Sequence, residues 1–442
     1  MDHSNWTVAR IVLNTFGSFG DLHPYLAIAI ELRRRGHTPV IATSEVYRQK
    51  VQAERILFAP VRPDVGELLH KPEFVEKLWH HERGTEYLIR DYLMPQVRDA
   101  HQDLLPACQS ADLLLTHVAA YAGPTVAEVL KLPWISVVLQ PSMFLSRYDP
   151  PLLPIPGIKQ LYVLGPVARA AIFRLGKMRV RGWSRPLIEM RGALGLPTAA
   201  NPVFEGALSP YRTLALFSRQ FATAQADWPK NVEITGFVFY DRRGEGFQQY
   251  ASHSDEEVKD RIRRFLESGP PPVVFTLGSS AVMQPGSFYR ESMTAAVKLG
   301  VRAILLAGPD ERAQLPRSIP DSIFVADYVP YSEVLPRVAL TVHQGGIGTT
   351  AQALRAGHPM LVVPWAHDQP DNAERLRRMG VAKWIDRRRY TAERAAEMIR
   401  SLLDGGGYRE RAAEIGSRVQ QEDGLRAACD AVEAVLREPK RV

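Results

Sequence analysis

The sequence has little cysteine and no long apolar segment. Its two cysteines, Cys108 and Cys429, are too few for a disulfide framework and do not have metal-binding spacing. No apolar run reaches the roughly 18 residues that a membrane helix needs. The first residues, MDHSNW, also lack the charged-then-apolar pattern of a signal peptide. We therefore expect a cytoplasmic protein.

The first glycine-containing turn lacks the fingerprint of a dinucleotide site. Gly17 and Gly20 are not followed by a third glycine at the required offset, and no acidic residue closes the next predicted strand. This excludes a dehydrogenase. The net charge of +7 is compatible with anionic ligands, but there is no dense basic stripe, so we expect no nucleic-acid partner.

What the sequence does have is an alternating strand and helix pattern over 442 residues, too long for one ordinary core. A strand at Val8–Asn14, a turn at Thr15–Asp21 and a helix at Leu22–Arg35 begin the first series. A second series follows the polar segment Asp241–Asp255. The pattern predicts an α/β protein with two Rossmann-like, doubly wound domains. The predicted units are residues 1–240, residues 241–424 and a terminal helix in 425–442 that packs back on the first domain.

A second glycine-rich turn lies within the segment from Val342 to Asn372. Gly345, Gly346 and Gly348 have no Cβ, so the backbone can approach a ligand closely there. Thr349 and Thr350 follow at a predicted helix start, where unpaired N–H groups and the helix dipole favour phosphate. The turn is thus a candidate phosphate site, although an ordinary βαβ turn without a ligand is the alternative.

Three polar residues follow the next predicted strand, Met360–Val363. The loop after it presents His367, Asp368 and Gln369 together. A carboxylate beside an amide can hydrogen-bond neighbouring hydroxyl groups in fixed geometry. The combination of turn and loop favours a sugar-nucleotide site.

Three motifs together resemble the family 1 glycosyltransferases of GT-B fold. They are GSFGDLHPYLAIAIEL at the first turn, HQGGIGTTAQALRAGHP at the second and DQPDNA after it. The similarity covers essentially the whole chain and is greatest to bacterial antibiotic (macrolide) type and sterol-type UDP-glycosyltransferases. It implies two domains facing across a cleft, the first binding an acceptor and the second a nucleotide sugar.

The resemblance also implies a set of donor-binding residues. Gly348, Thr349 and Thr350 would hold the diphosphate, and Asp368 and Gln369 the sugar. Gln344, not His343, aligns with the phosphate-binding histidine of many members, and which of the two faces the phosphate stays open. The full set is Gly20, Gly278, Ser279, Ser280, Tyr328, Val329, His343, Gln344, Gly345, Gly346, Gly348, Thr349, Thr350, His367, Asp368 and Gln369. Tyr328 would stack on the base and the Val329 backbone would read its edge.

The catalytic base is implied by the first motif. Many members have Gly-His-x-x-Pro there, and Asp21 takes the histidine position. Asp21 is then either the base or only the N-cap of a helix beginning at Leu22. His117, after the strand Leu113–Thr116, is a hypothetical acid–base partner of Asp21. His23 is a third candidate, expected to make packing or acceptor contacts.

These assignments imply an inverting transfer of a hexose, most simply glucose, from UDP-glucose or a dTDP-sugar. The acceptor would be a hydroxyl of a small, largely apolar natural product, phenolic, sterol or lipid. No Asp-x-Asp pair is present, which argues against a metal, and no cofactor beyond the co-substrate is expected. The protein would be a monomer or homodimer. The alternatives are a GT-B-fold epimerase and an inactive nucleotide-sugar-binding module.

The region from Pro151 to Ile188 has no acidic residue and mixes basic with apolar side chains. One interpretation is contact with an anionic membrane surface through residues 159–185. The other, which we favour from the sequence, is helices whose apolar faces cover the acceptor cleft while their arginines are solvated.

Overall fold

The computed structural model of the chain describes residues 8–66, 68, 71–240, 255–279, 281, 284–327 and 329–438. These residues form two wholly parallel sheets flanked by helices. This confirms the predicted α/β class with two Rossmann-like domains.

The first domain is built on the described strands β1 (Arg10–Asn14), β2 (Thr38–Thr43), β3 (Leu57–Pro60), β4 (Leu113–His117), β5 (Trp134–Val138), β6 (Arg212–Ala215) and β7 (Val232–Ile234). Its helices are α1 (Phe19–Arg34), α2 (Arg48–Ala53), α3 (Pro72–Leu78), α4 (Gly84–Glu86), α5 (Val97–Cys108), α6 (Ala122–Val129), α7 (Ile158–Tyr162), α8 (Pro166–Trp183) and α9 (Arg185–Ala193). A π-helical segment, Tyr87–Leu93, continues α4.

The strand order of this sheet reverses between β1 and β4. The order is β3-β2-β1-β4-β5-β6-β7, and Asn14 of β1 lies opposite Thr116 of β4. Both strands are buried and apolar because helices cover the two faces of the sheet. Open parallel sheets bind ligands beyond the carboxyl ends of strands at such a reversal. Asp21 lies at this edge in the first turn of α1, and His117 is the last residue of β4.

The second domain is built on β8 (Val273–Thr276), β9 (Ala303–Leu306), β10 (Ile323–Ala326), β11 (Leu340–His343), β12 (Met360–Val362) and β13 (Ala382–Trp384). Its helices are α10 (Asp255–Glu267), α11 (Phe288–Leu299), α12 (Pro309–Ala313), α13 (Tyr331–Val334), α14 (Ile347–Ala356), α15 (Gln369–Arg378), α16 (Ala392–Asp404) and α17 (Tyr408–Gln420). The order is β10-β9-β8-β11-β12-β13, so this sheet reverses between β8 and β11, where His343 lies opposite Thr276.

The last helix, α18 (Gly424–Arg437), packs on α1 of the first domain. Its Cys429 and Val432 are buried in the first domain's core. Two polar contacts accompany this packing: Arg35 lies 2.6 Å from Asp430, and the His37 ring nitrogen lies 3.3 Å from Glu433. The end of the chain is thereby attached to the domain with which it begins.

Several predicted boundaries were wrong. Helix α1 begins at Phe19 rather than Leu22, because Ser18 caps it, and α14 begins at Ile347 rather than Thr350. The predicted linker Asp241–Asp255 lies outside the described residues apart from Asp255, the first residue of α10.

For the basic region from Pro151 to Ile188 we favoured helices whose apolar faces cover the acceptor cleft. This interpretation was also wrong in one respect. Phe173 is the one fully buried residue of α8, whereas Val167, Leu175 and Met178 face solvent. The apolar side chains of this helix therefore do not all cover a cleft. None of the described helices is long and apolar enough to cross a membrane.

Candidate active site

The glycine turns of the two domains meet. A Cβ built on Gly348 in α14 would lie 3.8 Å from the Cα of Gly20 in α1. Both residues lie in the first turn of their helix, so two helix N-termini converge from opposite domains. Helix N-termini present unpaired N–H groups and partial positive charge, which favour an anion.

Asp21 is held by the N-terminus of α1. Its Oδ2 accepts hydrogen bonds from the Ser18 backbone N–H at 2.8 Å and from the Ser18 hydroxyl at 3.2 Å. Gly17 has φ +133°, and a Cβ there would collide with the carboxylate of Asp21. The capping arrangement thus fixes one carboxylate oxygen and leaves the other, Oδ1, available. Capping and a role as base use different oxygens and do not exclude each other.

His117 faces the second oxygen of Asp21. Its Nε2 lies 3.9 Å from Asp21 Oδ1, longer than a hydrogen bond but close enough for electrostatic coupling. Its Nδ1 accepts the N–H of Ala119 at 3.2 Å, so the proton of the neutral ring is on Nε2, directed towards Asp21. The hypothetical pair is therefore in place as neighbouring groups, without a direct hydrogen bond.

Burial shifts both groups towards their neutral forms. It raises the pKa of Asp21, an effect that the nearby His117 partly offsets, and it lowers the pKa of His117. The Asp21 side chain still has 29% of its surface exposed, so it remains partly hydrated and accessible. Such a carboxylate is a stronger base than one on the open surface.

His23 lies on another side of α1. Its ring packs on those of Phe19 and Tyr240, with centroids 5.4 and 4.9 Å apart. Burial, with the charge of Lys50, lowers the pKa of His23 to about 3, so its ring is neutral. The structure gives it packing contacts away from the carboxylate of Asp21.

In the second domain, His343 supports the glycine turn from inside. The ring is fully buried, and its Nδ1 accepts the N–H of Gly345 at 3.1 Å. Burial lowers the pKa of His343 to about 3. The neutral ring therefore supports the backbone of the turn and carries no positive charge.

Gln344, not His343, lies between the glycine turns of this domain. A Cβ on Gly346 would lie 2.7 Å from Gln344 Nε2, and one on Gly278 would collide with the same amide. The same Cβ on Gly278 would lie 3.2 Å from Thr349 Oγ1. An amide donor and a hydroxyl thus converge where the turns after β8 and β11 approach each other. Gln344 carries no positive charge, so the helix N-terminus supplies the charge complementarity.

The predicted sugar loop has one fixed amide and one carboxylate. Gln369 Oε1 accepts the N–H groups of Trp365 at 2.8 Å and Ala366 at 3.3 Å, which leaves its NH₂ group as the donor. Asp368 Oδ2 accepts from Asn372 at 2.6 Å, and the same amide donates to the Gly345 carbonyl at 2.9 Å. Asn372 therefore joins the sugar loop to the phosphate turn. Asn372 was not among the predicted site residues, although its i+4 spacing from Asp368 at a helix start indicates such a contact.

Asp368 is coupled to the first domain by charge. Burial raises the pKa of Asp368 to about 7, and the negative charge of Asp21 adds to this rise. This coupling agrees with the approach of Gly348 to Gly20, the residue before Asp21. One of the two carboxylates comes from each domain.

His367 links the two domains, and its side chain does not point the same way as those of Asp368 and Gln369. It has φ +60°, its Nδ1 lies 3.1 Å from the hydroxyl of Thr85, and its ring packs edge-on against Trp79 at 5.1 Å. Burial lowers the pKa of His367 to about 4. A segment of the first domain therefore contacts His367, the residue beside Asp368.

Of the remaining predicted site residues, some lie within the described part of the chain and others do not. Val329 is buried directly after β10, and Gly278 and Ser279 form the turn after β8. Ser280 and Tyr328 lie outside the described residues. Thr350 is buried in α14 behind the turn.

A buried ion-pair cluster joins the loop after β5 to α15, the helix that begins at Gln369. Arg375 is 3% exposed and pairs with Asp149 of the first domain and, at 2.8 Å, with Asp371 of its own helix. Asp371 also accepts the backbone N–H of Leu152 at 2.8 Å. These contacts hold the loop with Asp368 and Gln369 against the first domain. The Asp371–Arg375 pair has the local i,i+4 spacing, whereas no local sequence pattern indicates the contacts with Asp149 and Leu152.

The arrangement offers a partly buried carboxylate, two convergent helix N-termini and a carboxylate–amide pair. Among the described residues, no three His, Cys, Asp or Glu side chains lie together as a metal site would require. The geometry suits attack by a hydroxyl near Asp21 on a group held by Asp368 and Gln369, with a phosphate leaving towards the helix N-termini.

Comparison with known proteins defines the class. Residues 11–146 match the model of the glycosyltransferase family 28 N-terminal domain. Residues 290–423 match that of the erythromycin biosynthesis protein CIII-like C-terminal domain. The chain is thus a two-domain, nucleotide-sugar-dependent glycosyltransferase.

Individual relatives agree with this class. The chain is 31% identical to the O-mycaminosyltylonolide 6-deoxyallosyltransferase of Streptomyces fradiae over 444 residues, 96% of this chain and 97% of that enzyme. It is 27% identical to a sterol 3-beta-glucosyltransferase of Cryptococcus neoformans, over 96% of this chain but 27% of that longer enzyme. The chain belongs to the family 1 glycosyltransferases of GT-B fold.

A solved structure supports the fold independently. The glycotransferase of kitacinnamycin superposes with a TM-score of 0.67 over 98% of this chain and 100% of that chain, at 23% identity. At this identity the similarity shows the fold, which confirms the GT-B prediction.

Proposed function

We propose that this glycosyltransferase moves glucose from UDP-glucose to a hydroxyl of a small, largely apolar acceptor, with inversion and without a metal ion. The observation that carries the proposal is the approach of Gly20, the neighbour of Asp21, to Gly348 of the other domain, together with the electrostatic influence of Asp21 on Asp368. A base, a leaving-group site and a sugar site then surround one point.

In this mechanism the acceptor hydroxyl donates a hydrogen bond to Asp21 Oδ1, the oxygen that capping leaves available. As the hydroxyl oxygen bonds to the anomeric carbon, its proton passes to Asp21 and the bond to the diphosphate breaks. The raised pKa of Asp21 improves this proton transfer. His117 orients the carboxylate and moderates its pKa.

The leaving diphosphate gains negative charge as that bond breaks. Backbone N–H groups at the start of α14 and the Thr349 hydroxyl would stabilise it, together with the Gln344 amide. Preorganised donors of this kind provide stabilisation without a bound ion. Asp368 would accept from sugar hydroxyls, and the Gln369 NH₂ group would donate to them.

Glucose and an apolar acceptor are supported by the relatives. The sterol glucosyltransferases transfer glucose to a sterol, and the Streptomyces fradiae enzyme is named for a deoxyallosyl transfer to O-mycaminosyltylonolide. Four rings of the first domain, Phe16, Phe74, Tyr87 and Tyr92, form an apolar cluster, and an apolar acceptor would pack against its partly buried members Phe16 and Tyr87.

The test is a panel of donors and acceptors. The purified chain is incubated with UDP-glucose or dTDP-glucose and with a macrolide, a phenol or a sterol, and products are identified by mass. We expect one added hexose with UDP-glucose. Transfer from dTDP-glucose alone would overturn the donor assignment. An altered free nucleotide sugar without conjugate would support an epimerase, and nucleotide binding without any product would support an inactive module.

A further inference from the structure

The outer face of α8, together with the turn before it, is an exposed apolar surface. Val163 and Val167 are 82% and 83% exposed, and Leu175 and Met178 are 66% and 65% exposed. Positions 167, 171, 175 and 178 repeat at helical spacing and so form one stripe on α8. We define the outer face as Val163, Leu164, Val167, Ala171, Leu175 and Met178. Monomeric soluble proteins rarely expose a continuous stripe of this kind without a binding role.

The opposite side of α8 is anchored to the first domain. Phe173 packs edge-on against Tyr162 at 5.9 Å, Lys177 pairs with Glu205, and the Asn201 side chain donates to the Lys177 carbonyl at 2.5 Å. Arg181 donates to backbone carbonyls at residues 199 and 200. The helix is thus held by its inner side, and its apolar stripe is directed outward by the fold.

The charge around this face has one sign. Residues 151–188 contain seven Lys and Arg and no Asp or Glu. Acidic residues elsewhere pair with some of them, as Glu86 does with Arg179 at 3.6 Å and Glu189 with Arg185 at 2.7 Å. Among the described residues, Arg169 donates to the carbonyls of Tyr162 and Arg147 on the anchored side of α8, whereas Arg174, three residues after Ala171 and four before Met178, has no ion pair. A net positive charge therefore remains beside the stripe.

We propose that the outer face of α8 binds the surface of an anionic lipid bilayer. A helix with apolar side chains on one face and arginines beside them lies flat in the interface between headgroups and acyl chains. The long arginine side chains extend towards the phosphates while the apolar groups enter the bilayer. This surface is separate from the donor and acceptor sites and does not depend on the proposed function.

The same charges disfavour a second copy of the chain as the occupant. A twofold interface places the same surface on both subunits, so arginines would face arginines. The surface is also one convex helix rather than a groove, which suits a flat and deformable partner.

The test is flotation of the full chain with vesicles of phosphatidylcholine alone or mixed equally with phosphatidylglycerol. Measurements are made at ~0.1 M salt, where charges interact over ~10 Å, and again at ~1 M, where that range falls to ~3 Å. We expect binding to the mixed vesicles that is at least tenfold tighter than to phosphatidylcholine and that weakens at high salt. A double variant, V167D/L175D, should lose at least tenfold in binding. Arg174→Ala should lose roughly fivefold, the effect of one basic side chain near an anionic surface.

Val297→Asp on α11 is the matched control, since Val297 is 52% exposed on the other domain. It should bind vesicles as the wild type does. Near-ultraviolet circular dichroism establishes that each variant is folded, and sedimentation gives its oligomeric state. Equal flotation of wild type and V167D/L175D would overturn the proposal. So would a failure of the wild type to bind mixed vesicles, or a dimer that V167D/L175D converts to a monomer.

Discussion

Asp21→Asn separates the two uses of the Asp21 side chain. The substituted amide keeps an oxygen that can accept the Ser18 N–H, so the N-terminus of α1 stays capped. It removes the negative charge that would take the acceptor proton. A positioned general base contributes roughly 10²–10⁴-fold to rate, about 3–5 kcal/mol of the barrier. We expect kcat/KM to fall by roughly that factor.

Stability should change much less. Replacing a charged acceptor by a neutral one at a cap costs about 1 kcal/mol, and removing a partly buried charge offsets part of this cost. Urea unfolding measures the free energy of unfolding, and initial rates with saturating donor measure turnover. Asp260→Asn is the control, because Asp260 is a half-exposed carboxylate on α10.

A third variant isolates the cap. Ser18→Ala removes the hydroxyl that bonds Asp21 and the Gly20 N–H but leaves the carboxylate in place. It should cost about 1 kcal/mol of stability and little turnover. If Asp21→Asn keeps more than about a tenth of wild-type turnover, the base assignment fails and the carboxylate is only a cap.

Three further predictions concern the surroundings of Asp21. His117→Ala should move the acidic limb of the pH profile of kcat/KM to higher pH, because His117 lowers the pKa of Asp21; an unmoved limb would show that the two are not coupled. Asp368 has a folded pKa of about 7 against an ordinary 3.8, so the native state binds the extra proton and stability falls as pH rises between these values. Asp368→Asn should reduce the loss of unfolding free energy between pH 5 and pH 8 by about 1–3 kcal/mol, and an unchanged difference would contradict the assigned pKa. Arg375→Met should destabilise the protein by about 3–5 kcal/mol, because it leaves the buried carboxylate of Asp371 without its cation and leaves Asp149 with Arg378 alone; a loss below about 1 kcal/mol by urea unfolding would show that the cluster is dispensable.

Much of the fold follows from local sequence patterns. Strands β4 and β12 match the predicted strands Leu113–Thr116 and Met360–Val363 to within one residue, because short apolar runs between turn residues form buried parallel strands. Helix starts were less accurate. The first turns of α1 and α14 contain glycine, which is a poor helix former, so the apolar pattern alone placed both starts three residues late.

The site was predictable where one turn carries several functional groups. The turn at Gly348 and the pair Asp368–Gln369 are local in sequence, so spacing reveals them. The partners of Asp21 and Arg375 are not local, since Asp149 lies 226 positions from Arg375. Whether His343 or Gln344 lies between the turns depends on where strand β11 ends. Which face of α8 points outward depends on which of its sides packs on the first domain.

In the proposed mechanism Asp21 acts as a base on the side of the anomeric carbon opposite the departing diphosphate. This arrangement requires inversion of the configuration at that carbon. The most direct measurement is the anomeric configuration, by NMR, of the glucoside formed from UDP-glucose, whose sugar is α-linked, in the presence of a chelator. We predict a β-glucoside formed at an undiminished rate. An α-glucoside would require a different chemical role for Asp21, and loss of activity with the chelator would contradict leaving-group stabilisation by helix N-termini alone.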